Sequence, residues 1–379
     1  MAGKTKRKYN GELMKFNKSI KSPLNKIQKI LPYDYNRNDI LNFFKEFYPY
    51  QWKSIEERYK YYSEKDNFLI KNGKKRRYYP KEPKIYFFNL AKVKNMLSKG
   101  EKEQHKKNYN NDIREEALLN FRVQRNNKIK IKDEKIIKSK ENMQEVDPLF
   151  IDIFINGYHQ KGITTEGKIE ILKELEKYDS PKSLEFFYKI NDSEKNSQVR
   201  KMAFNHLQKI GKYVKLRKNF KGKQKSYMTE KSDFFMKPKD LYERIVSNAL
   251  QDKKEFDYFI SHSAKDHKLI QNIQKSFNKI NCTVYCDWTS DNDFLKREYA
   301  NEYTVLVLKR RIEQSKNVVF VQTINTTDEK NNLSSKWIEL ELEYAKELKK
   351  NIVAIDLLDN GYCNFEVLKY DIENNELII

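Results

Sequence analysis

Phe256-Asp-Tyr-Phe-Ile-Ser-His-Ser263 is the stretch on which the fold of this chain turns. It is a short apolar run closing on small polar residues, the pattern of a strand buried on both faces. Residues 264–280 follow with Leu269, Ile270, Ile273, Phe277 and Ile280 at helical spacing. Cys282-Thr-Val-Tyr-Cys-Asp-Trp288 reads as a second strand and residues 296–315 as a second helix. Asn317–Thr323, residues 334–348 and Asn351–Leu357 then read as strand, helix and strand. Such alternation predicts a parallel sheet with helices on both faces. Ligands of these sheets bind beyond the carboxyl ends of the strands. Ser261, His262 and Ser263 end the first strand, and Asp287 and Trp288 end the second, which makes them candidate binding residues.

The third helix is Ser334-Ser-Lys-Trp-Ile-Glu-Leu-Glu-Leu-Glu-Tyr-Ala-Lys-Glu-Leu348. Ser334 is a good N-cap type. Trp337 and Glu341 are four residues apart and share a face near the helix start. The plain expectation is an indole in the core and a carboxylate in water. The helix follows the third strand, however, so Glu341 could also face the crevice at the strand ends.

Phe259-Ile-Ser-His-Ser263, Val284-Tyr-Cys-Asp-Trp288 and Ser335-Lys-Trp-Ile-Glu-Leu-Glu341, in that order, resemble the three signature blocks of bacterial Toll/interleukin-1 receptor (TIR) domains, in their TIR-like NADase branch. The resemblance spans roughly residues 254–370. It implies a flavodoxin-like α/β TIR domain with a central parallel sheet. It implies NAD+ as a substrate cleaved at the nicotinamide–ribose bond, with no resident cofactor. By the same resemblance Glu341, four residues after Trp337, is the catalytic glutamate, and Ser261, His262, Ser263, Asp287, Trp288 and Trp337 line the NAD+ pocket. Self-association through TIR domains and a place in bacterial antiphage immunity are further implications. Two departures stand out: Thr289–Leu295 holds neither Gly nor Pro, and Glu339 and Glu343 flank Glu341.

The chemistry suits a single carboxylate. Breaking an N-glycosidic bond develops positive charge on the ribose, and a carboxylate beside it stabilises that charge. Nicotinamide in NAD+ is already a cationic leaving group and needs no strong acid. Attack by water gives ADP-ribose, and attack by an internal nucleophile gives a cyclic product; the sequence leaves both open. Two other readings stay open as well: a non-enzymatic TIR interaction module, and a nucleic-acid-binding protein whose α/β domain serves only association.

Charge divides the chain. Phe256–Ile379 holds 16 Lys+Arg against 20 Asp+Glu, a net −4; the whole chain is +22, so residues 1–255 carry +26. That excess attracts nucleic acid or acidic protein. The densest stretch is Lys74-Lys-Arg-Arg-Tyr-Tyr-Pro-Lys81, and Lys74, Lys75, Arg76 and Arg77 are the candidate nucleic-acid contacts. Alternatively Tyr78, Tyr86, Phe87 and Phe88 are core and the cations a solvated loop.

The rest of the N-terminal part reads as mostly helical. Met1 to about Lys29 is basic and expected to be mobile. Asn38 or Asp39 would cap a helix through Ile40, Leu41, Phe43, Phe44 and Phe47, and a second aromatic helix would carry Trp52, Ile55, Tyr59 and Tyr62. Residues 100–145 read as exposed helix or linker. Three helices are expected over 164–211, with Gly211 at a C′ position and His206 on the apolar stripe as a core histidine. Val199-Arg200 with Ala203 and Leu207, after Asp192, is similar to one unit of a HEAT-type repeat. Lys212–Lys225 is a basic loop, and Asp240–Leu250 a helix leading into the α/β part. The expected organisation is 1–145, a basic aromatic-rich helical region; 146–251, a helical region and linker; and 252–379, the TIR-like domain.

No run reaches the ~18 apolar residues of a membrane span, and the basic start has no apolar region behind it, so a cytoplasmic protein is expected. The 3 cysteines fit a reducing compartment. Cys282 and Cys286, four apart on a strand, would sit roughly 13 Å apart, too far for a disulfide. No His/Cys cluster has ligand spacing, so no metal is expected.

Overall fold

The computed structural model describes residues 3–215, 238–247, 249–291, 301–328, 332–358 and 364–378. The chain forms two compact units. One comprises Met1–Ile137 with Gln208–Asn219, the other Lys138–Leu207 with Phe220–Ile379. Among the described residues no helix is long and apolar enough to cross a membrane.

The first unit is helical. Its opening corrects the expectation of a mobile start: Lys4–Gln28 is one 25-residue helix. Phe16, Ile20, Leu24 and Ile27 are buried along it, at i, i+4, i+8 and i+11. Lysines between them hide that stripe from a composition reading. The next helix, Arg37–Phe47, is capped by Asn36, while Asp39 closes the capping box from the N3 position. The exposed, highly charged region holds two helices, Lys99–Lys107 and the 30-residue Asn111–Lys140. The core joins Phe16, Phe44, Phe47, Trp52, Phe87 and Tyr213. A buried ion pair accompanies it: Arg58 Nη2 meets Glu12 Oε2 at 3.1 Å, and the Tyr213 hydroxyl donates to Glu12 Oε1 at 2.7 Å.

The second unit carries the sheet. Its strands are β1 (Phe256–Ser261), β2 (Val284–Tyr285), β3 (Ser315–Gln322), β4 (Asn351–Asp356) and β5 (Glu366–Val367), and all neighbouring pairs are parallel. The order is β2-β1-β3-β4-β5. The expected α/β pattern of strand and helix is therefore present, with one correction. The second strand is cut to two residues, because Asp287–Ser290 turns into a helical turn instead of continuing extended. The C-terminal residues do not extend the main sheet: β6 (Lys369–Asp371) and β7 (Glu376–Ile378) form their own antiparallel pair. One face of the sheet buries Ile260, Val284, Val319, Val321, Val353 and Ile355 under Ile270, Ile273 and Phe277. These three fall at i, i+3 and i+7 of the helix His267–Lys279.

Helices Thr165–Leu175, Pro181–Ser193 and Ser197–Lys209 form where three were expected, and belong to the sheet unit up to Leu207. His206 is buried against Phe187, ring centroids 4.2 Å apart, as a core histidine. Gly211 has φ +77°, the left-handed conformation that favours glycine. Most of the basic loop from Lys212 to Lys225 lies outside the described residues.

Two polar devices tie helices to the sheet. The Gln144 side chain acts as a strand fragment: its Nε2 donates to Val284 O at 2.7 Å and its Oε1 accepts from Val284 N at 3.0 Å. That satisfies the outer edge of β2, which would otherwise be open. The second is a buried charge cluster. Arg311, 0% exposed, donates through Nε to Asp291 Oδ2 at 2.9 Å, and the Tyr285 hydroxyl donates to the same oxygen at 3.1 Å. Lys254 and Lys177 meet Glu174 at 2.9 and 3.0 Å. Burial pushes the Lys254 ammonium down to about 8, against the opposing pull of Glu174. The Arg311 and lysine charges hold the Asp291 carboxyl well below the usual range, although burial alone would raise it.

Candidate active site

The strand order reverses beside β1, so the carboxyl ends of β1 and β3 border the crevice where such sheets bind ligands. Ser261 is the last residue of β1 and is fully buried. The helix Lys336–Glu347 packs over the sheet through Ile338, Glu341, Leu342 and Ala345, an i, i+3, i+4, i+7 stripe. Glu341 is thus part of the sheet-facing row. Ser335, one residue after the expected cap, accepts the Trp337 N–H. The plain expectation for this face is inverted: Glu341 is 8% exposed and Trp337 is 38% exposed. Glu339 and Glu343 are exposed, which removes the ambiguity that three acids in a row create.

The central contact is short and polar. Ser261 Oγ donates to Glu341 Oε2 at 2.6 Å. Burial pushes the Glu341 carboxyl up to about 8; the Ser261 hydrogen bond opposes this and the negative charge of Asp287 adds to it. A carboxyl of this kind changes charge near neutral pH, a property concentrated at functional sites. Replacing Ser261 with Ala removes the hydrogen bond that favours the charged form. For Ser261→Ala the acid limb of any Glu341-dependent pH–rate profile is expected to move up by about 1–2 pH units, checked by kcat/KM across pH.

The other candidates divide into groups. His262 Nδ1 lies 3.0 Å from Ile260 O. A carbonyl only accepts, so Nδ1 carries the hydrogen and Nε2 faces Asp287 Oδ1 at 3.7 Å. Cys286, buried and not anticipated, places Sγ 3.8 Å from the same Nε2. Trp288 stacks on His267, centroids 5.0 Å apart and planes at 19°. Its buried indole Nε1 has no hydrogen-bond partner among the described residues. Ser263 caps the short turn Ala264–Asp266, its Oγ accepting from Lys265 N at 3.3 Å. Asp266 was also not anticipated; it accepts from Thr323 Oγ1 at 2.7 Å and Asn325 Nδ2 at 2.6 Å, tying the end of β1 to the end of β3. The loop Thr289–Leu295 falls within the described residues only as far as Asp291.

Two surface concavities are lined by Asp252, Lys254, Arg310 and Lys350, and by Asn17, Lys21 and Leu90; Glu341 lines neither.

In the helical unit, Lys74, Lys75, Arg76 and Arg77 are exposed. Their loop is held from below: the Asp66 carboxylate accepts the backbone N–H groups of Arg77, Tyr78 and Tyr79 at 2.8, 3.0 and 2.8 Å. Tyr78 packs on Tyr62 and Tyr9, and Phe87 is fully buried. Tyr78 and Phe87 turn inward, whereas Tyr79, 66% exposed, faces outward with the cations.

Fold and site together define an α/β domain with an all-parallel five-stranded sheet and a buried, protonatable glutamate at its carboxyl edge. The chain is 51% identical over 379 residues, covering 100% of it and 98% of the relative, to a protein of Cytobacillus dafuensis named "Putative cyclic ADP-D-ribose synthase TIR2". It is 26% identical over 147 residues, 39% of this chain and 70% of the relative, to the "Probable 3' cyclic ADP-D-ribose synthase ThsB'" of Bacillus cereus (strain MSX-D12). No protein-family model and no solved structure matches the chain. The chain belongs to the same TIR-like NADase family as this Cytobacillus dafuensis relative, in agreement with the resemblance of its three sequence blocks.

Proposed function

We propose that this chain is an NAD+-cleaving TIR enzyme that breaks the nicotinamide–ribose bond and closes ADP-ribose into a cyclic product. The carrying observation is the buried Glu341 carboxyl, bonded to Ser261 at the carboxyl end of β1. The strand order supports a flavodoxin-like TIR fold for the C-terminal part. The names of both relatives support a cyclic product over a linear one.

In this reading the C1′–N bond breaks and its electron pair leaves with nicotinamide, which becomes neutral. The Glu341 carboxylate stabilises the positive charge left on the ribose. An internal nucleophile of the same ADP-ribose then bonds to C1′ and releases a proton. Nicotinamide, cyclic ADP-ribose and one proton balance one NAD+. A carboxyl with a pKa near 8 is largely protonated in the free protein at neutral pH, and the incoming cationic ring favours its ionisation. Ser261, His262, Ser263, Asp287, Trp288 and Trp337 line the NAD+ pocket in this reading, and NAD+ is substrate rather than cofactor.

Activation is by association. The burial of Glu341 fits a pocket that is completed when TIR domains assemble. The basic helical unit recruits the trigger, a nucleic acid or an acidic protein, through Lys74, Lys75, Arg76 and Arg77, in a cytoplasmic antiphage system. The test is chromatography of NAD+ reactions run alone, with DNA, with RNA and with an acidic protein. A cyclic product that rises with one polyanion and falls with salt supports the reading. ADP-ribose as the sole product overturns the cyclisation, and polyanion binding with no effect on NAD+ overturns the trigger.

A further inference from the structure

We propose that His262, Cys286 and Asp287 form a three-ligand site for a thiophilic divalent cation of the zinc class. The three come from different elements. His262 follows β1, Cys286 follows β2 and Asp287 opens the helical turn after it. The parallel pairing of β1 with β2, Phe259 opposite Tyr285, brings them together. This departs from the expectation of no metal, which rested on spacing along the chain.

The distances suit a tetrahedral ion. His262 Nε2 is 3.7 Å from Asp287 Oδ1 and 3.8 Å from Cys286 Sγ, and Sγ is 4.0 Å from Oδ1. Bonds of about 2.0–2.3 Å at tetrahedral angles separate ligand atoms by roughly 3.3–3.6 Å. A few tenths of an ångström of side-chain adjustment would close the set. The histidine is already oriented as a ligand, since Nδ1 donates to Ile260 O and leaves the Nε2 lone pair aimed at the other two groups. A backbone carbonyl behind the ring is the usual outer partner of a metal-bound histidine. The frame is fixed as well, because Cys286 N–H donates to Ser290 Oγ at 3.2 Å.

The donor set selects the ion. One imidazole, one thiol and one carboxylate match zinc-class cations and not magnesium or calcium, which take oxygen. Three protein ligands leave a fourth position for water or an exchanging ligand. Access is from the aspartate side, since the Asp287 side chain is 41% exposed against 5% for His262. Binding displaces the Cys286 thiol proton to solvent. One consequence rests on the NAD+ reading: His262 and Asp287 also stand on the pocket wall, so the bound ion slows nicotinamide release.

The test is a titration of purified, metal-free full-length protein with Co2+, followed by absorption in the absence of NAD+. A thiolate-to-cobalt charge-transfer band, intense four-coordinate visible bands, 1:1 saturation and their loss on adding Zn2+ are expected. Cys286→Ala should abolish the charge-transfer band, and Asp287→Asn should weaken cobalt binding at least ~10-fold. Near-UV circular dichroism checks that both variants fold, and the aspartate variant decides if the cysteine variant does not. A band that persists unchanged in Cys286→Ala, arising from either of the other cysteines, overturns the site, as does the absence of a 1:1 cobalt complex. Either outcome leaves the NAD+ reading standing, because no substrate enters the measurement.

Discussion

Arg311→Met is expected to cost the sheet unit about 3–5 kcal/mol of stability, the loss seen when one partner of a buried ion pair is removed. Arg311 is fully buried, and its guanidinium bonds Asp291 Oδ2, Gln314 Oε1 and Gln251 Oε1. Removing it leaves Asp291, itself 3% exposed, with Tyr285 and the more distant Lys177. The measurement is urea unfolding followed by tryptophan fluorescence in a Trp52→Phe background, where Trp288 and Trp337 both report the sheet unit. Changing Asp291 to Asn in the Arg311→Met chain should recover part of the loss, because the uncompensated charge goes with it. A loss below about 1 kcal/mol would mean that the pair adds little to stability.

Glu341→Gln is expected to stabilise the protein at alkaline pH. The folded-state pKa, about 8, lies above the ordinary value of 4.5. Between those values the folded chain binds a proton that the unfolded chain has released. Stability therefore falls as pH rises from 4.5 towards 8 and is flat with respect to this group on either side. By pH 8 the ionisable side chain has cost on the order of 3–5 kcal/mol. Glutamine keeps the shape and a hydrogen-bonding partner for Ser261 without a charge to desolvate. Thermal or urea unfolding at about pH 5 and pH 8.5, either side of most of that window, tests this. Wild type should lose stability relative to Glu341→Gln over that range. Parallel curves would place the carboxyl in a solvated site.

The fold was legible where periodicity was strong. The apolar run ending at Ser261 and the stripe through Ile270, Ile273 and Phe277 point to the parallel sheet directly. Two failures have physical causes. The N-terminal helix carries its core contacts at three- and four-residue intervals between lysines, so charge density masks its buried face. The run Cys282–Trp288 looks extended throughout, yet Asp287 accepts the Trp288 N–H at 2.7 Å and opens a helical turn. Local hydrogen bonding by an acidic side chain competes with the strand there.

The candidate site was only partly legible. Glu341 and Ser261 lie 80 residues apart and meet because the helix stripe faces the end of β1. Each was placed on the right element, but the helix pattern alone suggested the opposite burial of Trp337 and Glu341. The helix turns Ile338 and Leu342 to the sheet, and Glu341 goes with them. Cys286 and Asp266 were missed because their partners lie across the sheet, where no spacing rule reaches. The clue available for Cys286 was its position beside Asp287 at a strand end.

Under the proposed function the buried Glu341 carboxylate drives cleavage of NAD+. The most direct test is nicotinamide release from NAD+ by wild type and Glu341→Gln side by side, above the carboxyl's pKa of about 8, at protein concentrations and with fused oligomerisation tags that force association. Wild type is expected to release one nicotinamide per NAD+ consumed, and the variant to show a kcat about 10²- to 10³-fold lower with an unchanged circular dichroism spectrum. Equal rates for the two, or a folded and assembled wild type that releases no nicotinamide, would contradict it.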